Sequence, residues 1–153
     1  MGRRQARETA LQALFQVDVG QVAPEAALEM TCQEFGIGGG DKVFADKLVK
    51  GALEKMPELD AVIQKIALEW DLERIAKVDR NILRLALYEM LFEDDIPYNV
   101  SVNEAIELAK VFSTEESGKF VNGILGKVVE QPKLYGGQAK TEGAVPTGAE
   151  LTK

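Results

Sequence analysis

The chain has 153 residues, of which 46% are hydrophobic, and this length suits one domain with a core of its own. Its 18 basic and 25 acidic residues give a net charge of −7, which argues against a protein that coats nucleic acid non-specifically. There is no histidine, so histidine general bases, histidine metal ligands and a Ser-His-Asp triad are excluded.

The single cysteine, Cys32, can neither form an internal disulfide nor build a zinc site alone. The start of the chain is charged and lacks a signal-peptide pattern. No stretch approaches the roughly 18 consecutive apolar residues of a membrane span. The sequence therefore predicts a soluble, cytoplasmic protein that is not an enzyme and holds no metal or cofactor.

The charged residues are unevenly distributed along the chain. Residues 1–20 contain three arginines and two acids, whereas residues 21–72 contain ten acids and five lysines. A small basic start on an acidic body is compatible with a local site for phosphate.

Apolar periodicity of about 3.6 residues predicts the first two helices. One covers residues 3–19 and ends at Gly20. The other starts near Pro24, which suits a first helical turn, and ends in the glycine-rich run 36–40.

Two more helices are expected before the middle of the chain. We expect Asp41 to cap the third helix and Pro57 to close it. A fourth helix is predicted over residues 58–69, where apolar residues recur at i, i+3, i+4 and i+7.

The fifth predicted helix starts at Asp79 and is apolar on most of its faces. A helix of this kind belongs at the centre of a bundle. Its apolar residues are Ile82, Leu83, Leu85, Ala86, Leu87, Met90, Leu91 and Phe92.

Two capping boxes predict where the last two helices begin. Ser101 and Glu104 are three residues apart and precede one apolar run, and Ser113 and Glu116 precede the next. Each helix is expected to start directly after its serine, and the last to end near residue 130.

The periodicity predicts an all-α domain over residues 1–130, built as a compact bundle of about seven helices. No strand pattern or fixed-period repeat appears. Residues 131–153 are rich in glycine, threonine, proline and alanine without periodicity, so we expect a flexible C-terminal tail.

Arg3, Arg4 and Arg7 lie close together on the first predicted helix. A guanidinium group matches the geometry of phosphate, so this face could contact successive phosphates. Arginines gain nothing from the macrodipole at a helix N-terminus, which favours a reason other than helix stability. A solvated, frayed helix start is the alternative interpretation.

Three segments resemble the NusB family of bacterial transcription antitermination factors: LRLALYE at 83–89, IPYNVSVNEAIELAK at 96–110 and KFVNGILGK at 119–127. The resemblance extends to RRQARETALQALF at 3–15. It implies a non-catalytic RNA-binding adaptor, folded as two packed helical sub-bundles.

In that family an arginine-rich first helix helps to bind the boxA RNA element. The resemblance therefore implies RNA contacts for Arg3, Arg4, Arg7 and Phe15. Gln5 stands where some relatives carry another arginine, which implies a weaker grip on phosphate. Phe15 stands where tyrosine is common, so a ring is kept and a hydroxyl is lost.

A second RNA-contacting region of the family resembles the start of the last helix, at Glu116, Lys119 and Phe120. Lys119 could meet a phosphate, and Phe120 offers a π-face for a base. A core position explains Phe120 equally well, because it is spaced i, i+4 and i+8 with Ile124 and Val128.

The family also binds NusE, a small-subunit ribosomal protein. Glu73 and Asp79 resemble the charged positions used toward that basic partner, and opposite charges would orient the two proteins as they associate. The alternative is that the two residues are a first-turn acid and a helix cap.

The sequence thus predicts a factor that binds boxA-type RNA with NusE and helps the transcription elongation complex to read through ribosomal RNA operons. The alternatives are the RNA-binding domain of a ribosomal RNA methyltransferase, a protein adaptor without RNA binding, and a small hydrolase. No α/β region follows residue 129 and no catalytic groups are evident, so the free-standing factor is favoured. The sequence leaves open a homodimer that buries the arginine face when RNA is absent.

Overall fold

The computed structural model of the protein describes residues 3–69, 71–138 and 140, and this part contains seven α-helices and no β-strand. The predicted all-α bundle of seven helices is confirmed. Two short 3-10 helices, Leu72–Arg74 and Pro132–Tyr135, precede the fifth α-helix and follow the seventh. The α-helices are α1 (Arg3–Asp18), α2 (Pro24–Phe35), α3 (Gly39–Glu54), α4 (Met56–Ile66), α5 (Lys77–Phe92), α6 (Tyr98–Phe112) and α7 (Glu115–Glu130).

The helices pack in two groups that meet at α5. Helices α1, α2 and α3 pack on one another, and α4, α6 and α7 pack around α5. Because α5 also contacts α1 and α3, it joins the two groups. The predicted pair of packed sub-bundles and the central position of the fifth helix are both confirmed.

One hydrophobic core runs through both groups and drives their association. Its largest fully buried side chains come from both halves of the chain, among them Leu14, Leu48, Ile63, Leu87 and Leu125. Within the part of the chain that the structure describes, none of the helices is long and apolar enough to cross a membrane.

Charged side chains on α5 are buried together with its apolar ones. Arg80 Nη2 lies 2.7 Å from Asp18 Oδ2 of α1, and Arg84 donates two hydrogen bonds to the carboxylate of Asp60 on α4, at 2.8 and 2.9 Å. Burial raises the pKa of Asp18, but hydrogen bonds from Arg80 and Asn81 outweigh it and hold this pKa below its ordinary value. A buried charge must be paired, so these contacts fix α1 and α4 against α5.

The predicted capping box at the start of α6 is wrong. The helix begins at Tyr98, directly after Pro97, so Ser101 lies inside the helix. Its hydroxyl donates a 2.8 Å hydrogen bond to Glu89 Oε1 on α5 and so links the two helices instead of capping α6.

The capping box predicted for α7 is wrong by one residue. The side chain of Thr114 accepts a 3.0 Å hydrogen bond from the Ser117 amide, so Thr114 is the N-cap and the helix starts at residue 115. The hydroxyl groups of Ser113 and Ser117 instead form a 2.7 Å hydrogen bond with each other.

Two helix boundaries in the first half of the chain also differ from the prediction. Because α3 begins at Gly39, Asp41 lies in its first turn and does not cap it. Pro57 lies in the first turn of α4, where the amide that proline lacks would have no partner, and so it opens α4 rather than closing α3. Pro24 begins α2, as predicted.

Part of the predicted tail is structured. After the 3-10 helix Pro132–Tyr135, the ammonium group of Lys140 donates hydrogen bonds of 2.8–3.1 Å to three backbone carbonyls at the end of α5 and in the loop after it. Residues 139 and 141–153 lie outside the described residues, so a flexible tail there stays a prediction.

Gly51 of α3 allows the close approach of Tyr88 on α5. A Cβ atom at Gly51 would overlap the Tyr88 ring, whose hydroxyl donates a 2.7 Å hydrogen bond to Glu93. We therefore expect Gly51→Ala to lower the free energy of unfolding by about 1–3 kcal/mol, because the ring must move. Equilibrium unfolding in urea measures this loss.

Gly123→Ala in α7 is the matched control. Apart from its chain neighbours and the nearby backbone of α7, no atom lies within 4 Å of the Cβ it would add, and alanine is favoured over glycine in a helix by about 1 kcal/mol. The control should therefore be neutral or stabilising. Equal effects of the two substitutions would contradict the packing explanation.

Candidate nucleic-acid interface

The first turns of α1 line a surface pocket of about 580 Å³. Arg3, Arg4 and Arg7 contribute the basic side of this arginine pocket. The remaining lining residues come from the loop after α5 and from α6, and they are Asp95, Ile96, Pro97, Val100 and Glu104. The structure therefore brings the three predicted arginines together, beside apolar and acidic groups.

Arg7 is buried, with only 5% of its surface exposed. Its Nε and Nη2 atoms each donate a 2.8 Å hydrogen bond to the carboxylate of Glu89, which also accepts from Ser101. This buried pair occupies the Nε and Nη2 atoms of Arg7, so these atoms are not free for a phosphate, and an RNA contact by Arg7 stays a prediction. Arg7 holds the start of α1 against α5 and α6.

Arg4 and Arg3 remain accessible to solvent. Arg4 donates hydrogen bonds of 3.0 and 2.9 Å to the two carboxylate oxygens of Glu104, and about half of its side chain is exposed. The hydrogen bond from Arg4 holds the pKa of Glu104 below its ordinary value, so Glu104 is ionised at neutral pH. The guanidinium of Arg3 lies 4.1 Å from the centre of the Phe44 ring and makes a cation–π contact with it.

Phe15 lies near the other end of α1 and is half-buried. It stands eleven positions after Arg4, which in an α-helix is a rise of roughly 16 Å along the axis and a net rotation of about 20° around it. The ring therefore faces the same side of α1 as Arg4, although it does not line the arginine pocket.

The first turns of α7 carry the other predicted contacts. Glu116 and Lys119 are both exposed and form an ion pair at 3.9 Å. Phe120 is half-buried: it packs against the core and also lines a pocket of about 130 Å³. The ring thus packs against the core and also borders a cavity, and its stacking on an RNA base stays a prediction.

Asp79 lines the same small pocket as Phe120, together with Arg74. It is 7% exposed, and its Oδ2 atom accepts a 2.9 Å hydrogen bond from the Ser117 hydroxyl. Its Oδ1 atom has no hydrogen-bond donor among the described residues. Asp79 lies in the first turn of α5 and Ala76 is the N-cap, so the interpretation of Asp79 as a cap is wrong.

Glu73 is exposed in the 3-10 helix that precedes α5 and does not line the small pocket. Glu104 and Arg74 line the two pockets, but the sequence did not identify either as a candidate site residue. The sequence places Glu104 in a capping box, and only the packing of both α1 and α6 on α5 brings it to Arg4. Within residues 3–69, 71–138 and 140, no cluster of acids or cysteine could hold a metal ion.

The NusB family model matches residues 4–130. The chain belongs to the NusB family. It is 56% identical over 135 residues to the transcription antitermination protein NusB of Desulforudis audaxviator. This alignment covers 88% of this chain and 98% of the relative. It is 57% identical over 130 residues to NusB of Desulforamulus reducens, and this alignment covers 85% of this chain and 91% of the relative.

Solved NusB structures have the same fold. NusB of T. maritima matches with a TM-score of 0.79 and 41% identity, over 87% of this chain and 95% of that one. A crystal structure of antitermination factors NusB and NusE in complex with dsRNA matches with a TM-score of 0.77 and 30% identity. The match covers 84% of this chain and 96% of the matching chain. The resemblance found in the sequence is confirmed, and with it the prediction of a non-catalytic antitermination factor.

The pair of Arg7 and Glu89 generates a stability prediction. Arg7→Met leaves the carboxylate of Glu89 buried without its cation, so the free energy of unfolding should fall by about 3–5 kcal/mol. Equilibrium urea unfolding measures the loss.

Lys50→Met supplies the comparison, because Lys50 belongs to an exposed ion pair with Asp46 at 3.3 Å. Losing such a pair should change the free energy of unfolding by no more than about 1 kcal/mol. A loss in Arg7→Met no larger than in Lys50→Met would show that burial does not set the strength of the Arg7 pair.

Proposed function

We propose that this protein is an RNA-binding antitermination factor that acts in the cytoplasm together with NusE. The pair would bind boxA-type leader RNA and help the elongation complex to read through ribosomal RNA operons. The observation that carries the proposal is the exposed pair Arg3 and Arg4 at one pocket of a NusB fold. The related complex of NusB and NusE with dsRNA supports it.

The arginine pocket has the chemistry of a phosphate site. Arg3 and Arg4 are exposed, and a guanidinium group can give two parallel hydrogen bonds to a phosphate. Pro97 and Val100 provide apolar surface beside them, which a ribose or base can cover. Arg7 contributes by holding α1 in position, and Phe15 extends the same side of the helix.

The start of α7 would form the second RNA contact. Lys119 is exposed and can meet a phosphate, while the free face of Phe120 at its pocket can stack on an unpaired base. Glu116 flanks them and would disfavour phosphates that approach from its side. Two modest contacts on one rigid domain gain affinity together, because the second forms at a high effective concentration.

Glu73 and Asp79 support a NusE surface at the start of α5. Glu73 is exposed, so a basic group of a partner could pair with it directly. The Oδ1 atom of Asp79 has no donor among the described residues but is buried, so Asp79 would have to turn outward before a partner could supply one. The net charge of −7 favours association with a basic protein.

A protein adaptor without RNA binding is the second candidate. It is favoured by the carboxylates that already occupy Arg4 and Arg7. The two candidates differ in their response to salt, because only phosphate contacts release counterions from RNA. Binding of NusE with no measurable affinity for RNA would favour this adaptor.

Replacing Arg3 and Arg4 by glutamine should weaken RNA binding without unfolding the domain. We expect the affinity for a fluorescent boxA-type single-stranded RNA to fall by roughly fivefold or more. The plot of log K against log[salt] should become shallower by about 0.7 for each phosphate contact that is lost. Fluorescence anisotropy over a range of salt concentrations, with and without NusE, measures both quantities.

The control is the double substitution of Lys42 and Lys50 by glutamine. It removes the same charge from exposed positions of α3 that do not line the arginine pocket. RNA affinity that falls equally in both double variants would mean that net charge, and no specific site, governs binding.

Phe120→Leu tests stacking separately from packing. Leucine keeps most of the apolar volume, so the free energy of unfolding should change by less than about 1.5 kcal/mol. Loss of a stacked base should weaken RNA binding by about 1–3 kcal/mol, measured by the same anisotropy titration.

Phe112→Leu is the matched control, because Phe112 is also half-buried and packs against the core from α6. We expect it to leave RNA affinity unchanged. If Phe120→Leu binds RNA as tightly as Phe112→Leu does, the stacking role of Phe120 is wrong.

A further inference from the structure

Two arginine–carboxylate pairs lie side by side at the start of α1. Arg4 and Arg7 are one helical turn apart, and each donates from Nε and Nη2 to both oxygens of one carboxylate. The two pairs differ in burial. The side chains of Arg7 and Glu89 are 6% and 3% exposed, whereas those of Arg4 and Glu104 are 52% and 20% exposed.

The carboxylate of Glu104 occupies the atoms of Arg4 that a phosphate would use. A phosphate binds a guanidinium through two parallel hydrogen bonds, and a carboxylate binds it in the same planar arrangement. Arg4 therefore cannot present Nε and Nη2 to RNA while both atoms donate to Glu104.

Burial determines which of the two arginines can change partner. If Arg7 left Glu89, a buried carboxylate would lose its cation, which is strongly unfavourable. Arg4 can leave Glu104 more easily, since half of the Arg4 side chain is exposed, and an ion pair that water reaches is weaker and is screened by salt. The guanidinium of Arg3 lies over the ring of Phe44, which does not occupy its N–H groups as a carboxylate does.

We propose that Glu104 competes with RNA phosphate for Arg4 and thereby sets the affinity of the arginine pocket. The inference rests on the proposed function and adds regulation to it. When a phosphate reaches the pocket, Arg4 exchanges one bidentate anion for another, and Glu104 returns to solvent. The gain from the new contact is reduced by the loss of the old one, so RNA binds less tightly than the exposed arginines alone would allow.

Glu104→Gln tests this competition against Glu107→Gln. Glu107 lies one turn further along α6, pairs with Lys110 at 3.7 Å, and carries the same charge. Both variants therefore lose one negative charge near the pocket, but only Glu104→Gln releases Arg4. The probe is a fluorescent boxA-type single-stranded RNA, titrated with the full chain at several salt concentrations.

We expect Glu104→Gln to bind this RNA about two- to fivefold more tightly than Glu107→Gln, which is the strength of an exposed ion pair. Its salt dependence should be steeper by about 0.7, because one more phosphate is neutralised. Adding Arg4→Gln to Glu104→Gln should abolish both effects. Far-UV circular dichroism and thermal unfolding verify that the variants are folded.

Equal RNA affinity of Glu104→Gln and Glu107→Gln would overturn the inference, and so would a gain that survives Arg4→Gln. Weaker binding by Glu104→Gln would also overturn it, since Glu104 would then orient Arg4 for RNA. In these three cases the wild-type protein still binds RNA, so the proposed function stands. If the wild-type protein and all variants fail to bind boxA-type RNA, with and without NusE, the proposed function and the inference fail together.

Discussion

The structure depends above all on the pairing of the buried charges of α5. Four charged side chains of this central helix are at most 8% exposed. Three of them, Arg80, Arg84 and Glu89, pair with an opposite charge, and losing such a partner would be strongly destabilising, whereas Asp79 accepts from the Ser117 hydroxyl. The apolar core drives the helices together, whereas these polar contacts select which helix faces meet. They connect Asp79 to α7, Arg80 to α1, Arg84 to α1 and α4, and Glu89 to α1 and α6.

The same contacts determine the chemistry of the arginine pocket. Glu89 takes Arg7 out of solvent, and this pair brings the start of α1 close to α6. Arg4 consequently reaches Glu104, while Arg3 extends over Phe44. Three arginines that are neighbours in sequence therefore have three different environments, and only two of them are accessible to a ligand.

The sequence predicted the helices better than their boundaries. Apolar periodicity indicates one continuous buried face of a helix, and this face is still recognised when the predicted helix ends are wrong by a few residues. Capping residues are less informative, because a serine can bond to another helix as readily as to its own. Ser101 does this by donating to Glu89, and the α6 start moves to the residue after Pro97. Similarly, the spacing of Phe120 fitted both a core and a surface position, and the ring has both contacts.

The sequence by itself determined the all-α class, the central place of α5, the family and the residues from which an RNA site could be built. The class and the place of α5 follow from apolar periodicity, whereas the family and most of the candidate RNA residues follow from the resemblance of short segments to NusB proteins. Neither needs knowledge of neighbouring helices. Only the tertiary structure decided that Arg7 is buried, that Glu104 faces Arg4, and that Asp79 shares a pocket with Phe120. The reason is physical: the accessibility of a charge depends on partners distant in sequence, and packing alone brings those partners together.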